Sequence, residues 1–178
     1  MTNTPLSVLI ERTYSRADLA YRIGLLREFL GFAFFTRHEK NVTKETLEAF
    51  EQKNHAEVDI EFLRSLPVTF FDAFTQESFY SVLDDLAKES QQLPTITLTV
   101  PVVLDASSKE ALGVWVRKEI GEEVLLDLST DATLATGCQI VWGNTLHDFG
   151  FDRALEQKRA EVEKHIEERV IASPVATV

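Results

Sequence analysis

The apolar residues of this chain change their period at Pro94, and that change does most to limit its fold. Before it, Leu19, Ile23, Leu26, Leu30 and Phe34 follow one another at spacings of 4, 3, 4 and 4, which puts them on one face of a long helix. After it, Ile96, Leu98, Val100 and Val102 alternate through "TITLTVPVV" (95–103), the period of a strand with one buried face. A chain that changes period once is expected to be α+β, with helices first and a sheet second.

Local signals divide the first part into elements. "SRAD" (15–18) is a capping box with Asp18 in place of the usual Glu or Gln, so Ser15 starts the first long helix. Thr43 caps a second helix carrying Leu47 and Phe50, and a third carries Val58, Phe62 and Leu66. Pro67 suits the first turn of a short helix, where its missing N–H costs nothing, with Phe70, Phe71 and Phe74 turned inward. Thr75 caps a last helix bearing Phe79, Val82, Leu83 and Leu86. Five to six helices make residues 1–94 an all-α bundle domain. Ten of the twelve phenylalanines lie before residue 80. They read as core, with a partly exposed aromatic groove for a partner helix as the alternative.

The polar stretch "KESQQLPT" (88–95) reads as a short linker to a second domain over 95–172, with a flexible tail at 173–178. Pro101 cannot donate to a ladder, so the end of the first strand is an edge or a bulge. "SSKE" (107–110) opens a helix whose inner face is Leu112, Trp115, Val116 and Ile120, and Gly121 ends it. "EVLLDLST" is a strand, and "CQIVW", Gly143-Asn144 and "TLHDF" form a tight hairpin with a primed turn. From Phe151, the residues Leu155, Val162, Ile166 and Val170 mark a long, highly charged helix. The order is β-α-β-β-α. The run "EQKRAEVEKHIEER" (156–169) reads as a solvated face with i,i+4 pairs such as Lys164 and Glu168, or as a docking surface for another helix.

Charge excludes one class of function. With 18 basic against 29 acidic residues the net charge is −11, and the excess is spread over both halves. Nucleic-acid binding as the main task needs clustered Lys and Arg instead. No run of about 18 apolar residues is present to cross a bilayer; the most apolar stretch is "FLGFAFF" (29–35). The start of the chain lacks the pattern of a signal peptide. A single cysteine rules out an internal disulfide and fits a reducing compartment.

That cysteine, Cys138, sits with His147 and Asp148 in "DATLATGCQIVWGNTLHDFGFDRAL" (131–155). A thiol, an imidazole and a carboxylate so close together raise the possibility of a small cysteine-dependent hydrolase. Nucleophilic catalysis needs an activated thiolate, and no local motif supplies one. Alternation puts Cys138 on one strand face with Ile140 and Trp142, as a small buried hydrophobe. Gly143 supplies positive φ in the hairpin, and Gly137 lets a strand start against close-packed backbone. Asp148 precedes a helix, where a carboxylate favours the dipole. His38, His55, His147 and His165 lack metal-ligand spacing, and no phosphate-binding glycine loop is present. The residues themselves call for no catalytic group, cofactor or metal.

The same 25 residues resemble the delta subunit of F-type ATP synthases, called the oligomycin-sensitivity-conferring protein in mitochondria. The family has an Asp-initiated turn ending in a Gly pair, a short strand, a Gly-[Asp/Asn] turn, an Asp-Gly-Ser and a Leu. Here Asp131, Gly137, Gly143, Asp148 and Leu155 fall at those positions without a gap. Thr136 replaces the first glycine of the pair, Gly150 the family's Ser, and Asp152 a usually basic residue. The preceding "VVLDASSKEALGVWVRKEIGEEVLLDLSTD" looks like the family's helix and following strand. The bundle resembles it in helix count and order, with "YRIGL" (21–25) where the family has Tyr-Ala-x-Ala-Leu.

The resemblance implies a non-catalytic peripheral-stalk connector of a proton-translocating ATP synthase. Its bundle would grip the N-terminal helices of the alpha subunits, in a groove between the first and fifth helices. Candidate groove residues are Leu19, Ile23, Leu26 and Leu30 on one helix, and Phe71, Phe79 and Leu83 on the other side. Its C-terminal domain would join the C-terminal region of the b subunit. The implied location is the cytoplasmic face of a bacterial inner membrane, held there through the complex without insertion of its own. The rival to both hydrolase and connector is a generic acidic adaptor, since fold does not fix function.

Overall fold

The computed structural model describes residues 4–54 and 59–172; in the last helix it describes the side chains of 151, 153–156, 158, 159, 161 and 163–166. His55, Val58, the tail at 173–178, and the side chains of Val162, Glu168 and Val170 lie outside the described residues. The fold is α+β: helices α1 (Pro5–Glu11), α2 (Arg16–Gly31), α3 (Lys44–Asn54), α4 (Ile60–Ser65), α5 (Val68–Phe71) and α6 (Phe79–Gln92) come first. Strand β1 (Thr95–Val100), helix α7 (Ala106–Glu119), strands β2 (Leu125–Thr130), β3 (Gln139–Trp142) and β4 (Thr145–Asp148), and helix α8 (Phe151–Ala172) follow. The second part is therefore β-α-β-β-β-α, one strand more than expected, because β2 and both arms of the hairpin are separate strands.

Caps fix the helix starts. Ser15 accepts from the Asp18 N–H at 3.0 Å and its hydroxyl reaches the Asp18 carboxylate at 2.6 Å, the expected capping box. The Thr43 hydroxyl accepts from Thr46 N–H. Thr75 accepts from Ser78 N–H at 3.2 Å, one turn ahead of α6. Asp59 caps α4 through Phe62 N–H at 3.0 Å. Helix α1 is unanticipated; Thr4 caps it and Pro5 occupies its first position, where proline is pre-organised for a helix. Helix α2 runs into one π turn, Phe32–Thr36, closed by Arg37 N–H to Phe32 C=O at 3.1 Å.

The chain forms two compact units. The helical unit comprises Met1–Thr95 with Ala106–Asp127, and the sheet unit comprises Ile96–Asp105 with Leu128–Val178. The chain thus passes between them three times, where a single boundary at Pro94 is expected. The expected linker also differs: Lys88 to Gln92 continue α6, and Pro94 C=O accepts from Leu125 N–H at 2.9 Å.

In the helical unit, Phe29 is fully buried and meets Phe50 edge-on at 5.3 Å and Phe71 at 5.7 Å, an arrangement worth about 0.5–1.5 kcal/mol per pair beyond burial. Helix α7 joins this unit through Gly113, whose bare Cα abuts the Tyr14 side chain. Arg117 lies over the Tyr14 ring at 4.6 Å and donates to Thr13 C=O. Burial holds its guanidinium below the ordinary arginine value, partly offset by Tyr14. The inner face of α7 is thus Gly113 and Val116. Trp115 and Ile120, expected inside, are exposed, and Trp115 stands roughly 100° round the helix from Val116.

The sheet has the order β2-β1-β3-β4. Thr97, Leu98 and Thr99 of β1 stand opposite Val141, Ile140 and Gln139 of antiparallel β3. Strand β1 is central, and Pro101 lies one residue past its end, so no ladder bond is lost. The alternation stops there too: Val102 is exposed, not buried as expected. Gly143 and Asn144 both have positive φ, 54° and 64°, the primed hairpin turn expected. A Cβ at Gly143 would touch nothing, so Gly143→Val carries only backbone strain. It should destabilise the protein by about 1–2 kcal/mol in a denaturant titration; an unchanged midpoint would contradict the turn geometry.

Candidate partner-binding surface

Helices α2 and α6 pack side by side, and the candidate groove residues other than Phe71 lie along the seam between them. The candidate groove residues Leu19, Ile23, Leu26, Leu30, Phe71, Phe79 and Leu83 are all buried. This corrects the expectation that they line an open groove: spacings of 3 and 4 select the core-facing stripe, and a partner meets the stripe beside it. Phe71 is farther still from any partner, enclosed by Phe29 and Phe70.

The outer seam runs along residues 16, 20, 27 and 35 on one side and 91, 87, 84 and 80 on the other. At one end is a cavity of about 230 Å³ lined by Arg16, Leu19, Ala20, Ile23, Ala87, Ser90 and Gln91. Leu19 and Ile23 thus contribute its apolar floor without being exposed. In the middle, Arg27 and Asp84 form an ion pair between the helices. At the other end, Phe35 and Tyr80 stack at 6.3 Å with 23° between their planes. They are 46% and 49% exposed, with Phe79 beneath them. Gly24 and Gly31 leave room above α2, since a Cβ at either would meet nothing. From residue 16 to residue 35 this surface extends roughly 28 Å.

Phe34 keeps its place in the core at 1% exposure, and Phe35, the next residue of the π turn, falls on the surface. Its position off the main apolar stripe is visible in the sequence. Tyr80 had no such signal, because Phe79 beside it satisfies the core pattern.

In the sheet unit, the residues of the 131–155 motif hold backbone. Asp131 Oδ1 accepts from Thr133 N–H at 2.9 Å and Thr133 hydroxyl at 2.6 Å, and these bonds hold its carboxyl below the usual range. Asp148 Oδ1 accepts from Gly150 N–H at 2.8 Å, and its Oδ2 from Gln139 Nε2 at 3.3 Å, directly ahead of α8. Gly137 has φ of 94°. A Cβ there would overlap the Phe149 carbonyl oxygen and lie 3.0 Å from Gly150 Cα. Phe149 N–H donates to Cys138 C=O at 2.9 Å, and Phe151 N–H to Thr136 C=O at 3.1 Å. The two strand ends and the start of α8 are thereby fastened together. Leu155, the last motif residue, is exposed on α8.

Cys138 is half-buried, less enclosed than a core hydrophobe. The His147 ring lies parallel to that of Phe149 at 6.5 Å, and no hydrogen bond joins it to the thiol among the described residues. Among those residues no group of three or more His, Cys, Asp or Glu is arranged to hold a metal, and no helix is long and apolar enough to cross a membrane. No known family model and no curated protein matches the chain.

Proposed function

We propose that this protein is a connector: a non-catalytic peripheral-stalk subunit of a proton-translocating F-type ATP synthase. The observation that carries this reading is the α2–α6 seam, a shallow surface roughly 28 Å long with an apolar floor and an exposed aromatic pair at one end. That form suits an amphipathic helix laid along it, with anchors at one-turn intervals. On this reading its occupant is the N-terminal helix of an alpha subunit, between the two helices that the family resemblance implies. The sheet unit joins the C-terminal region of the b subunit. Four of its motif residues, Asp131, Gly137, Gly143 and Asp148, support the reading because each fixes backbone geometry. The connector acts by holding the catalytic head against rotation, so it needs no cofactor. Its place is the cytoplasmic face of a bacterial inner membrane, held through its partners.

The test is titration of the full chain with an alpha-subunit N-terminal peptide from the same source. The full chain is required because α7 and Leu125 belong to the helical unit. Tyr80→Ala should cost about 2 kcal/mol of binding, roughly thirtyfold in affinity, as for an aromatic anchor. Its folding should change little, since the ring is half exposed. Absence of binding by the wild-type chain, or equal binding by Tyr80→Ala, would overturn the assignment of this seam.

A further inference from the structure

Helix α8 is 22 residues long, about 33 Å, and each of its described side chains is exposed. Phe151 is 53%, Leu155 46% and Ile166 57% exposed. Most helices in proteins owe their stability to packing of an apolar face, and this one has its face open. At 100° per residue, Leu155 and Ile166 stand roughly 40° and 60° round from Phe151, so the apolar seam is narrow. Lys158 falls roughly 20° outside one border of the seam and Arg159 roughly 20° outside the other. Glu156, Glu161 and Glu163 lie farther round, on the opposite half, together with Arg153 and Lys164. Arg159 does pair with Glu163 at 2.8 Å, but an exposed i,i+4 pair is weak and exchanges readily.

We propose that α8 docks an amphipathic helix of another protein, one whose apolar seam is bordered by acidic residues. The proposal deepens the connector reading, on which it rests, by giving the chemistry of its second partner. Width argues for a helix: a seam this narrow is that of a coiled coil, whereas a helix lying in a membrane interface presents a much wider apolar face. Charge argues for an acidic one. In a chain of net charge −11, the basic residues Lys158 and Arg159 border the seam, where flanking charges choose the partner. A second copy of this chain would bring basic borders against basic borders, so self-pairing is disfavoured.

The experiment uses the full chain and two labelled synthetic helical peptides with the same leucine seam, one flanked by glutamates and one by lysines. Phosphatidylglycerol vesicles form a third arm. The Glu-flanked peptide should bind at least about tenfold more tightly than the Lys-flanked one, with an affinity that falls as salt is added. Leu155→Asp should weaken it by about tenfold or more, and the double variant K158E/R159E should reverse the preference. All three altered side chains are exposed, so both variants should melt as the wild type does. Equal binding of both peptides, preferential binding to vesicles, or indifference to Leu155→Asp would overturn the proposal. The alpha-peptide titration reports on α2 and α6 alone, so loss of binding here with retention there removes this inference and leaves the first.

Discussion

Valine at position 137 should destabilise the protein by about 3–5 kcal/mol, the sum of backbone strain and of an overlap that nothing can relieve. Gly137 holds φ of 94°, a conformation β-branched residues avoid. The atoms its Cβ would strike belong to the backbone of Phe149 and Gly150, which hydrogen bonds on either side hold in place. No rotamer change can move them. Gly143→Val carries the first cost without the second, so the two variants should differ by about 2 kcal/mol or more. Denaturant unfolding followed by tryptophan fluorescence measures both. Equal stabilities would mean that the 136–138 and 149–151 segments are not in contact.

Gly113→Ala should destabilise the protein by about 2–3 kcal/mol, although alanine is the better helix former by about 1 kcal/mol. The added methyl would overlap Tyr14 Cβ and stand 2.7 Å from its Cγ. These atoms are the root of the side chain, not a flexible tip. The Tyr14 carbonyl accepts from Leu126 N–H at 2.9 Å, so the residue cannot withdraw without breaking that bond. Tyr14→Gly removes the obstacle, its Cβ included, so the double variant should lose clearly less than the sum of the two singles. A Gly113→Ala protein more stable than wild type would show that α7 does not rest on Tyr14, and with it that α7 does not belong to the helical unit.

The change of period at Pro94 was enough to read the fold class, and the caps at Ser15 and Thr43 were legible because each is a local event of three or four residues; Thr75 closes the turn before α6, whose own N-cap is Ser78. The hairpin was legible for the same reason: Gly143-Asn144 admits few backbones. What could not be read depends on distant partners. Leu112, Trp115, Val116 and Ile120 look like one face until Tyr14 takes the place beside Gly113, and a glycine gives no hydrophobic signal of its own. Helix α1 escaped because Leu9 and Ile10 are too few to show a period, although Thr4-Pro5 is a start signal. The groove residues were misplaced by a general rule. Periodicity finds the stripe that the chain buries for itself, and exposed apolar residues beside it, such as Phe35 and Tyr80, are found only as the remainder. The Cys138, His147 and Asp148 group was legible as composition only; in three dimensions His147 lies along Phe149 and Asp148 binds Gly150 and Gln139.

The fastening at Gly137 sets how α8 responds to a pull. A helix held at one end behaves as a cantilever: a sideways force on its far turns is felt most at the root, in proportion to the helix length of about 33 Å. The root here is Thr136 C=O on Phe151 N–H, Cys138 C=O on Phe149 N–H and the Asp148 clasp on Gly150. Two of these are bonds between backbones in direct contact and the third runs through the short Asp148 carboxylate, so no long side chain lies between them to flex. Two glycines at that point make the joint stiff, because the absence of side chains is what lets the backbones close on each other.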